Sequence, residues 1–387
     1  MCNVCLHTEG GEVIPATNHE GNTNFTWEYS IEDGYHIHCS ICDEILEAKE
    51  ATATVGLGLT LLSDYELEYL VPVDSDVSEC WMLVKMTDAS GNVTEELVEP
   101  NVVGGTNRFA PSGIAAKNMN DKIVGTYYFV KDNVLYKAAS KSYNLVTYYN
   151  FAMKNIGSLT RGELLVDLLD AMFNYGAAAQ TYFGYNTEDS GSAYTGLVSK
   201  YLASEKVVDY TKVNVEATDE SKVGELEATH LYAVDSQNAV LNQRIMMSIA
   251  FVGTNGNTAF DTNGLVFKAT YKNINGVEKT IEIDSDMMRT GTVDGVAYLY
   301  VDISEISAKD LRKEFTGALY IGDTQVSPSV TTSFESYAAR IISSSDSDLI
   351  TQGITNPVAL KAVCRATLAY ADAAAKYLVY GTAEELQ

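Results

Sequence analysis

Two stretches of the chain share one helical pattern of apolar residues. In residues 163–185 the apolar positions recur at three- and four-residue steps, at Leu165, Leu168, Leu169, Met172, Tyr175, Ala179 and Tyr182. That spacing places them on one face of an α-helix. Residues 360–380 repeat the pattern, with Tyr370 aligned on Tyr175, and both stretches contain small residues that let another element approach the backbone. The pattern predicts two related helices that pack on a sheet.

The regions ahead of these helices also match each other. Both contain short, partly alternating apolar runs separated by turn signals such as Asn275-Gly276, and these predict antiparallel strands joined by hairpins. Residues 114–119 of the first half match residues 306–311 of the second half. The repeated unit is therefore a whole domain. A unit of that size can close its own core, unlike the short unit of a solenoid.

The repeat sets the predicted fold class and the domain limits. We predict an α+β fold with two tandem homologous domains, each an antiparallel β-sandwich-like sheet capped by C-terminal helices. Residues 50–212 form the first β-rich repeat and residues 213–387 the second. Residues 1–49 form a small zinc-ribbon-like segment. A chain of 387 residues has room for two or three domains.

The first 49 residues hold four of the six cysteines of the chain and four of its five histidines. Two C-x-x-C pairs lie there: Cys2 with Cys5, and Cys39 with Cys42. A C-x-x-C turn brings two thiolates together, and two such turns predict a tetrahedral Zn²⁺ site. We expect this site to be structural, since four sulfur ligands leave no open position on the metal.

Other arrangements of the same segment stay open. His36 and His38 lie next to the second cysteine pair and are alternative zinc ligands, and His7 and His19 are nearby histidines that could also replace a cysteine. The separation between the two pairs exceeds the usual spacing of a zinc ribbon. If no metal binds, the four cysteines form disulfides or stay unpaired.

The net charge of the chain restricts the kinds of partner that it can bind. The formal net charge is −26 at pH 7 and the isoelectric point is about 4.4. Nucleic acid and anionic membrane surfaces are polyanions, so we expect neither as a partner. No stretch approaches the ~20 consecutive apolar residues of a membrane-spanning helix, which excludes insertion by a helix.

The common catalytic patterns are missing from the sequence. Nucleophilic sites of the Ser-His-Asp or Cys-His type need a histidine, and His230 is the one histidine outside the first segment. No phosphate-binding loop and no nucleophile elbow occurs. Cys80 and Cys364 stand alone in apolar surroundings and are predicted to be small core residues.

Carboxylate chemistry stays possible, because a glycosidase needs only two acids. The positions that the two repeats share, however, are Ala, Tyr, Gly and Ile, which are packing residues. Two acidic clusters, residues 74–79 and residues 284–286, could hold Ca²⁺, but neither fits the twelve-residue loop of an EF-hand. Solvated turns are the favoured reading.

The phrase FNYGAAAQTYFGYNT, preceded by SGIAAKNMNDKIVGTYYFVKDN, resembles a module of uncharacterised extracellular proteins from gut Firmicutes. The first 49 residues resemble the small Cys/His knuckles of the same proteins. The resemblance covers most of the chain and is weaker in the second repeat, where Asn174 and Gly176 become Ala369 and Ala371. It implies an extracellular or cell-surface location within a long multidomain chain. It implies no established activity.

Three functions follow as alternatives. We favour a noncatalytic surface module for adhesion, ligand binding or domain spacing, with a host protein or a glycan as partner and with no catalytic residue. The second is an accessory carbohydrate-binding module that uses exposed tyrosines and Trp81 as stacking surfaces. The third is a hydrolase with a carboxylate pair. The start of the chain has no signal peptide, so we expect a fragment of a secreted protein.

Overall fold

The structure is a computed structural model that describes residues 48–185 and 222–379, together with isolated strands before residue 48. Short gaps fall at residues 62–64, 89, 113, 133, 160, 242–244, 257–259 and 305. The described part is mixed α+β, with mostly antiparallel sheets and five α-helices, which confirms the predicted class. By its internal contacts the chain divides into two compact units. The first unit comprises Met1–Leu59, Leu67–Pro111 and Lys122–Asn144, and the second comprises Thr60–Glu66, Ser112–Asp121 and Leu145–Gln387.

Five short strands are described before residue 48: β1 (Thr8–Glu9), β2 (Glu12–Val13), β3 (Phe25–Ser30), β4 (Gly34–Cys39) and β5 (Ile45–Leu46). Strands β1 and β2 form an antiparallel pair. Strand β4 pairs with β3 on one side and with β5 on the other, both antiparallel.

The first unit then continues with ten strands: β6 (Lys49–Ala51), β7 (Gly56–Leu61), β8 (Tyr65–Pro72), β9 (Val77–Thr87), β10 (Val93–Val98), β11 (Asn101–Val103), β12 (Thr106–Phe109), β13 (Lys122–Lys131), β14 (Val134–Ala138) and β15 (Lys141–Ser142). One sheet has the order β10-β9-β13-β14-β6, with β15 also paired to β13. The other has the order β11-β12-β8-β7.

The inner faces of these two sheets pack together. Along β13 the buried residues alternate with more exposed ones, as expected for a strand with one covered face. The ring of Tyr69 from β8 lies over Gly125 of β13, where a Cβ would come within 2.6 Å of that ring. Phe109 of β12 packs edge-on against Tyr127 of β13, with 5.8 Å between ring centroids. The first unit is therefore a sandwich of two sheets.

The second unit has ten further strands: β16 (Lys222–Val223), β17 (Tyr232–Val240), β18 (Met246–Gly253), β19 (Leu265–Lys272), β20 (Glu278–Asp284), β21 (Arg289–Val293), β22 (Val296–Ile303), β23 (Phe315–Ile321), β24 (Thr324–Gln325) and β25 (Val330–Thr332). One sheet has the order β16-β25-β23-β19-β20, with β24 also paired to β23. The other has the order β17-β18-β22-β21. Phe251 of β18 contacts Phe267 of β19 across the two sheets, with 6.4 Å between centroids.

The sheets of the two units share their strand order. In chain order, β7, β8, β11 and β12 occupy the same places in their sheet as β17, β18, β21 and β22. The pair β9 and β13 likewise corresponds to β19 and β23. One difference lies at the sheet margin, where β6 joins β14 in parallel and β16 joins β25 antiparallel.

The five α-helices among the described residues all belong to the second unit: α1 (Leu145–Asn155), α2 (Gly162–Phe183), α3 (Phe334–Ser343), α4 (Asp346–Thr351) and α5 (Pro357–Val379). Single 3₁₀ turns are described at Ala116–Asn118, Ser285–Met287 and Ala308–Asp310. No described helix is both long and apolar enough to cross a bilayer.

Helices α2 and α5 are the two helices that the sequence repeat predicts. Helix α2 ends before Gly184, whose φ of 62° gives the left-handed stop that glycine provides most easily. Helix α5 begins at Pro357, a residue suited to the first turn. The sequence predicted a sheet as their partner, but the structure places the two helices against each other, with Tyr175 stacked on Tyr370.

Candidate functional site

The predicted zinc site falls almost wholly outside the described residues. Cys2, Cys5 and Cys42 lie there, and Cys39 is described only as the last residue of β4. The alternative ligands His36 and His38 occupy the same strand, in register with Glu28 and Thr26 of β3. Within the described part of the chain, no group of three or more His, Cys, Asp or Glu side chains could hold a metal ion.

The isolated histidine and cysteines have structural surroundings. His230 is buried, and its Nδ1 accepts a hydrogen bond of 3.1 Å from the backbone N–H of Glu227, which closes a turn. Cys364 is fully buried, and this burial raises the pKa of its thiol to about 12. Cys80 is half-buried, and burial raises its pKa too. Cys364 is the small core residue that the sequence predicts.

Trp81 is not the exposed stacking surface considered for a carbohydrate-binding module. Only 8% of it is accessible, because it packs with Leu135, Val130 and Ala48 and stacks on Tyr128. The indole and phenol planes differ by 2°, with 6.0 Å between the ring centroids. This pair belongs to a satellite hydrophobic cluster of the first unit.

A lysine side chain of the same chain forms ion pairs with the acidic turn at residues 74–79. Lys131 Nζ lies 2.9 Å from Asp76 Oδ2 and 3.7 Å from Asp74 Oδ2. Asp74 also accepts a 3.0 Å hydrogen bond from the backbone N–H of Asp76, as in a solvated Asx turn. The arrangement supports the solvated-turn reading over a calcium site.

A different surface concentrates half-buried aromatic and charged groups. It is the outward side of the sheet that contains β18, β21 and β22 in the second unit. Strand β22 alternates strictly, and its inward residues Ala297, Leu299, Val301 and Ile303 are buried. The outward positions carry polar and aromatic side chains. We call this surface the tyrosine face and define it by Arg289, Gly291, Tyr298, Tyr300 and Asp302.

Two tyrosine rings form the centre of the tyrosine face. The centroids of Tyr298 and Tyr300 are 6.0 Å apart and their planes differ by 20°. Gly291 lies opposite Tyr298 on β21, and a Cβ there would be 3.4 Å from the ring of Tyr300. Glycine at this position adds no side chain against the Tyr300 ring.

The hairpin between β21 and β22 extends the surface. Its turn residues Asp294 and Gly295 both have positive φ, of 51° and 81°, as a two-residue hairpin turn requires. Val293 and Val296 pair directly before and after the turn and are 52% and 46% exposed. The alternation of β22 places Val296 on the same side as Tyr298. Apolar surface thus continues from the tyrosines to the tip of the hairpin.

An ion pair with two hydrogen bonds borders the tyrosines. Arg289 donates to Asp302 through Nε and through Nη2, the latter at 3.0 Å from Oδ1. Ser248 of β18 donates to the same carboxylate at 2.6 Å. Burial alone would raise the pKa of Asp302, but the hydrogen bonds from Arg289 and Ser248 lower it below its ordinary value. The guanidinium of Arg289 also lies over the Tyr300 ring, 5.0 Å from its centroid.

A second carboxylate approaches from β17. The pairing of β17 with β18 shifts register between Val234 and Ser236, which marks a bulge at Asp235. A bulge redirects the side chain it carries. The negative charge of Asp235 is the main reason that the pKa of Tyr298 is raised.

The tyrosine face offers side chains of the kinds that can contact a ligand. Aromatic rings offer apolar surface with a defined orientation, and the Arg289–Asp302 pair offers donors and acceptors in one plane. A general acid needs a raised pKa, whereas the pKa of Asp302 is lowered, so this carboxyl stays ionised at neutral pH. Sequence reasoning missed this surface, although the alternating run TVDGVAYLYVD contains the signal for an outward-facing pair of tyrosines.

No family model matches the chain, and no curated protein matches it. Among solved structures, it is similar to the GH family 64 laminaripentaose-producing β-1,3-glucanase from Paenibacillus barengoltzii, with 9% identity and a TM-score of 0.19 over 71% of this chain and 48% of that chain. The same glucanase complexed with laminarihexaose gives 10% identity and a TM-score of 0.19, over 73% and 51%. This chain thus spans about half the length of those chains. A TM-score so low carries no argument, so function rests on the residues of the chain itself.

Proposed function

We propose that the chain is a noncatalytic ligand-binding module of an extracellular or cell-surface bacterial protein, and that it forms part of a longer multidomain chain. The observation that carries this proposal is the tyrosine face. There, two half-buried tyrosines, an exposed valine pair and a fixed Arg289–Asp302 pair share one side of a sheet. This composition suits recognition, and the ionised Asp302 does not suit proton donation.

The proposal includes a duplicated architecture of two tandem domains, residues 50–212 and 213–387. The common strand order of the two sandwiches supports it. The contacts that the repeated residues make also support the duplication. Tyr175 and Tyr370 stack on each other, and the matched glycines Gly125 and Gly317 each lie under an aromatic ring. The residues that both repeats keep therefore serve packing.

Two carboxylates of the second unit that share one arginine partner also serve packing. Arg312 binds Asp372 through two hydrogen bonds, of 2.7 and 2.9 Å, and contacts Glu335 as well. Glu335 lies in the first turn of α3 and Asp372 lies on α5, so one guanidinium, two residues after the 3₁₀ turn at Ala308–Asp310, ties the two helices together. Carboxylates neutralised in this way hold elements together and do not act as an acid–base pair.

We further propose that the first 49 residues bind one structural Zn²⁺ through Cys2, Cys5, Cys39 and Cys42, with His36 or His38 as replacements for a cysteine. The doubled C-x-x-C spacing supports the proposal. Such a site would stabilise a segment with few apolar residues. It would have no part in ligand binding.

The proposed function is tested by direct binding. The full chain is applied to a glycan microarray and to immobilised mucin and fibronectin. Saturable binding to at least one probe is the expected result, and it is weakened in the double variant Tyr298→Ala/Tyr300→Ala. Absence of saturable binding to all of these probes would leave domain spacing as the role and contradict ligand recognition.

A further inference from the structure

We infer that the tyrosine face binds neutral pyranose oligosaccharides, an inference that rests on the proposed noncatalytic binding function. A sugar ring has two kinds of surface, a face of C–H groups and a rim of hydroxyl groups. The tyrosine face presents a partner for each, an aromatic pair for the first and a planar ion pair for the second. Both partners lie on neighbouring positions of β21 and β22.

The aromatic part fits the apolar face of a sugar. C–H groups pack favourably on the electron-rich face of an aromatic ring. Tyr298 and Tyr300 stand on one strand with centroids 6.0 Å apart and planes within 20°, so their rings share one orientation. A ligand that covers both rings is longer than one sugar unit. The exposed pair Val293 and Val296 continues the apolar track along the hairpin.

The polar part fits the hydroxyl rim. The guanidinium of Arg289 has five N–H donors, and its bonds to Asp302 use two of them. The remaining donors, together with free lone pairs of the Asp302 carboxylate, can bind hydroxyl groups, which both donate and accept. Ser248 and Arg289 fix the carboxylate in position, so little side-chain ordering is required when a ligand binds.

Charge selects a neutral ligand over an acidic one. Asp302 compensates the charge of Arg289, and Asp235 and Asp294 place further negative charge near Tyr298. The whole chain carries a formal charge of −26. Uronic acids and sulfated sugars would be repelled from this surface, and repulsion of this kind is weakened by salt.

The test is isothermal titration calorimetry of the full chain with cellohexaose, laminarihexaose, xylohexaose and mannohexaose, and with hexagalacturonate as an acidic probe of the same length. At least one neutral hexasaccharide is expected to bind, and hexagalacturonate is expected to bind at least about tenfold more weakly at low salt. A decaproline peptide is included because proline-rich helices also dock on aromatic surfaces.

Variants locate the binding site. Tyr298→Ala and Tyr300→Ala are each expected to weaken binding of the neutral hexasaccharide by about tenfold or more, and Tyr300→Phe to retain it, since stacking needs the ring. Tyr320→Ala is the matched control. Tyr320 is also a half-buried tyrosine of the second unit with a cation over its ring, since Lys268 lies 5.7 Å from its centroid as Arg289 lies 5.0 Å from that of Tyr300. It differs in its place, on β23 of the other sheet. Circular dichroism confirms that each variant is folded.

Each result is decisive. Loss of binding in the two alanine variants with retention in Tyr320→Ala supports the inference. Binding by the wild type that Tyr298→Ala and Tyr300→Ala leave intact would overturn the site. Preference for hexagalacturonate or decaproline, or binding of no probe, would overturn the ligand class while a positive result on immobilised protein keeps the proposed function. Hydrolysis of a bound hexasaccharide would instead overturn the noncatalytic function.

Discussion

Tyr175 and Tyr370 stack with offset, nearly parallel rings between helices α2 and α5, with centroids 6.0 Å apart and planes 7° from parallel. They occupy the same position in the two copies of the repeated helix. The start of α2 lies next to the end of α5, as a 2.8 Å hydrogen bond from Arg161 to the backbone carbonyl of Tyr377 shows. The two helices therefore run antiparallel, and equivalent tyrosines meet where an approximate two-fold relation between the helices requires it.

The stacked pair should carry a large part of the stability of the second unit. Tyr175 and Tyr370 are 4% and 3% exposed, so Tyr370→Ala removes a buried ring and is expected to lower the free energy of unfolding by about 3–5 kcal/mol. Chemical denaturation measures it. The double variant Tyr175→Ala/Tyr370→Ala should cost less than the sum of the single variants, by roughly 0.5–3 kcal/mol.

Phe151→Ala is the control for this pair, since Phe151 is 54% exposed on α1. It should change stability by less than about 0.5 kcal/mol. Strict additivity of the two tyrosine variants would show that the rings do not depend on each other.

Glycines at matched positions make a second prediction. A Cβ on Gly125 would lie 2.6 Å from the Tyr69 ring, and one on Gly317 would lie 2.5 Å from Phe267. Gly125→Ala and Gly317→Ala are each expected to destabilise the fold by about 1–3 kcal/mol through overpacking. Thermal unfolding checks both variants.

Two comparisons separate overpacking from a general effect of replacing glycine. Gly157→Ala should be nearly neutral, because a Cβ there meets no atom within 4 Å. In a Tyr69→Leu background the added cost of Gly125→Ala should shrink, since the three atoms nearest to that Cβ all belong to the Tyr69 ring. An unchanged cost in that background would refute the steric explanation.

Alkaline pH should destabilise the protein through Cys364. Burial raises the pKa of this thiol from 9.0 to about 12. Above pH 9 the unfolded chain releases the proton and the folded chain keeps it, so stability is complete below pH 9 and falls as the pH rises toward 12. The expected loss is roughly 1 kcal/mol per pH unit.

Urea unfolding at pH 7, 8, 9 and 10 measures this loss. Cys364→Val removes the titrating group with a similar volume and should make the decline between pH 9 and pH 10 less steep. Part of the decline remains in the variant, because burial also raises the pKa of tyrosines such as Tyr69 and Tyr337, and unfolded tyrosines already release protons as the pH approaches 10. A decline equally steep in Cys364→Val would assign the alkaline effect to other groups.

The zinc proposal gives a stoichiometric prediction. Reduced full chain purified without chelator should contain one Zn²⁺, as measured by elemental analysis, and Cys39→Ser should lower this content. Cys80→Ser should leave it unchanged, since Cys80 lies on β9 outside the proposed ligand set. Metal-free reduced protein that keeps its full thermal stability would rule out a structural zinc.

The sequence predicted the secondary-structure elements better than it predicted which of them pack against each other. Period and turn residues were enough to place α2, α5 and the hairpins, because these signals are local. Self-similarity identified Tyr175 and Tyr370 as equivalent positions. It could not show that they touch, because a helix face with small residues packs equally well on a sheet or on another helix.

The candidate site shows the same limit more sharply. Trp81 lies in a run of four consecutive buried residues on β9, whereas Tyr298 lies on β22, where burial alternates. From the sequence alone, the larger aromatic residue was the more attractive stacking candidate. In the structure Leu135 and Val130 cover Trp81, while the outward side of β22 carries Tyr298 and Tyr300. Alternation shows that a strand has two faces, but distant residues decide which face is covered.

Binding without chemistry is the central claim, and product analysis of the bound glycan tests it most directly. The full chain is incubated with the hexasaccharide that it binds most tightly, and the mixture is followed by chromatography for many hours at pH 5 and pH 7. The hexasaccharide should remain intact at a level equal to that in a protein-free control. Shorter products that disappear with Asp302→Asn or Asp235→Asn would contradict the claim and assign catalysis to the carboxylates beside the tyrosine face.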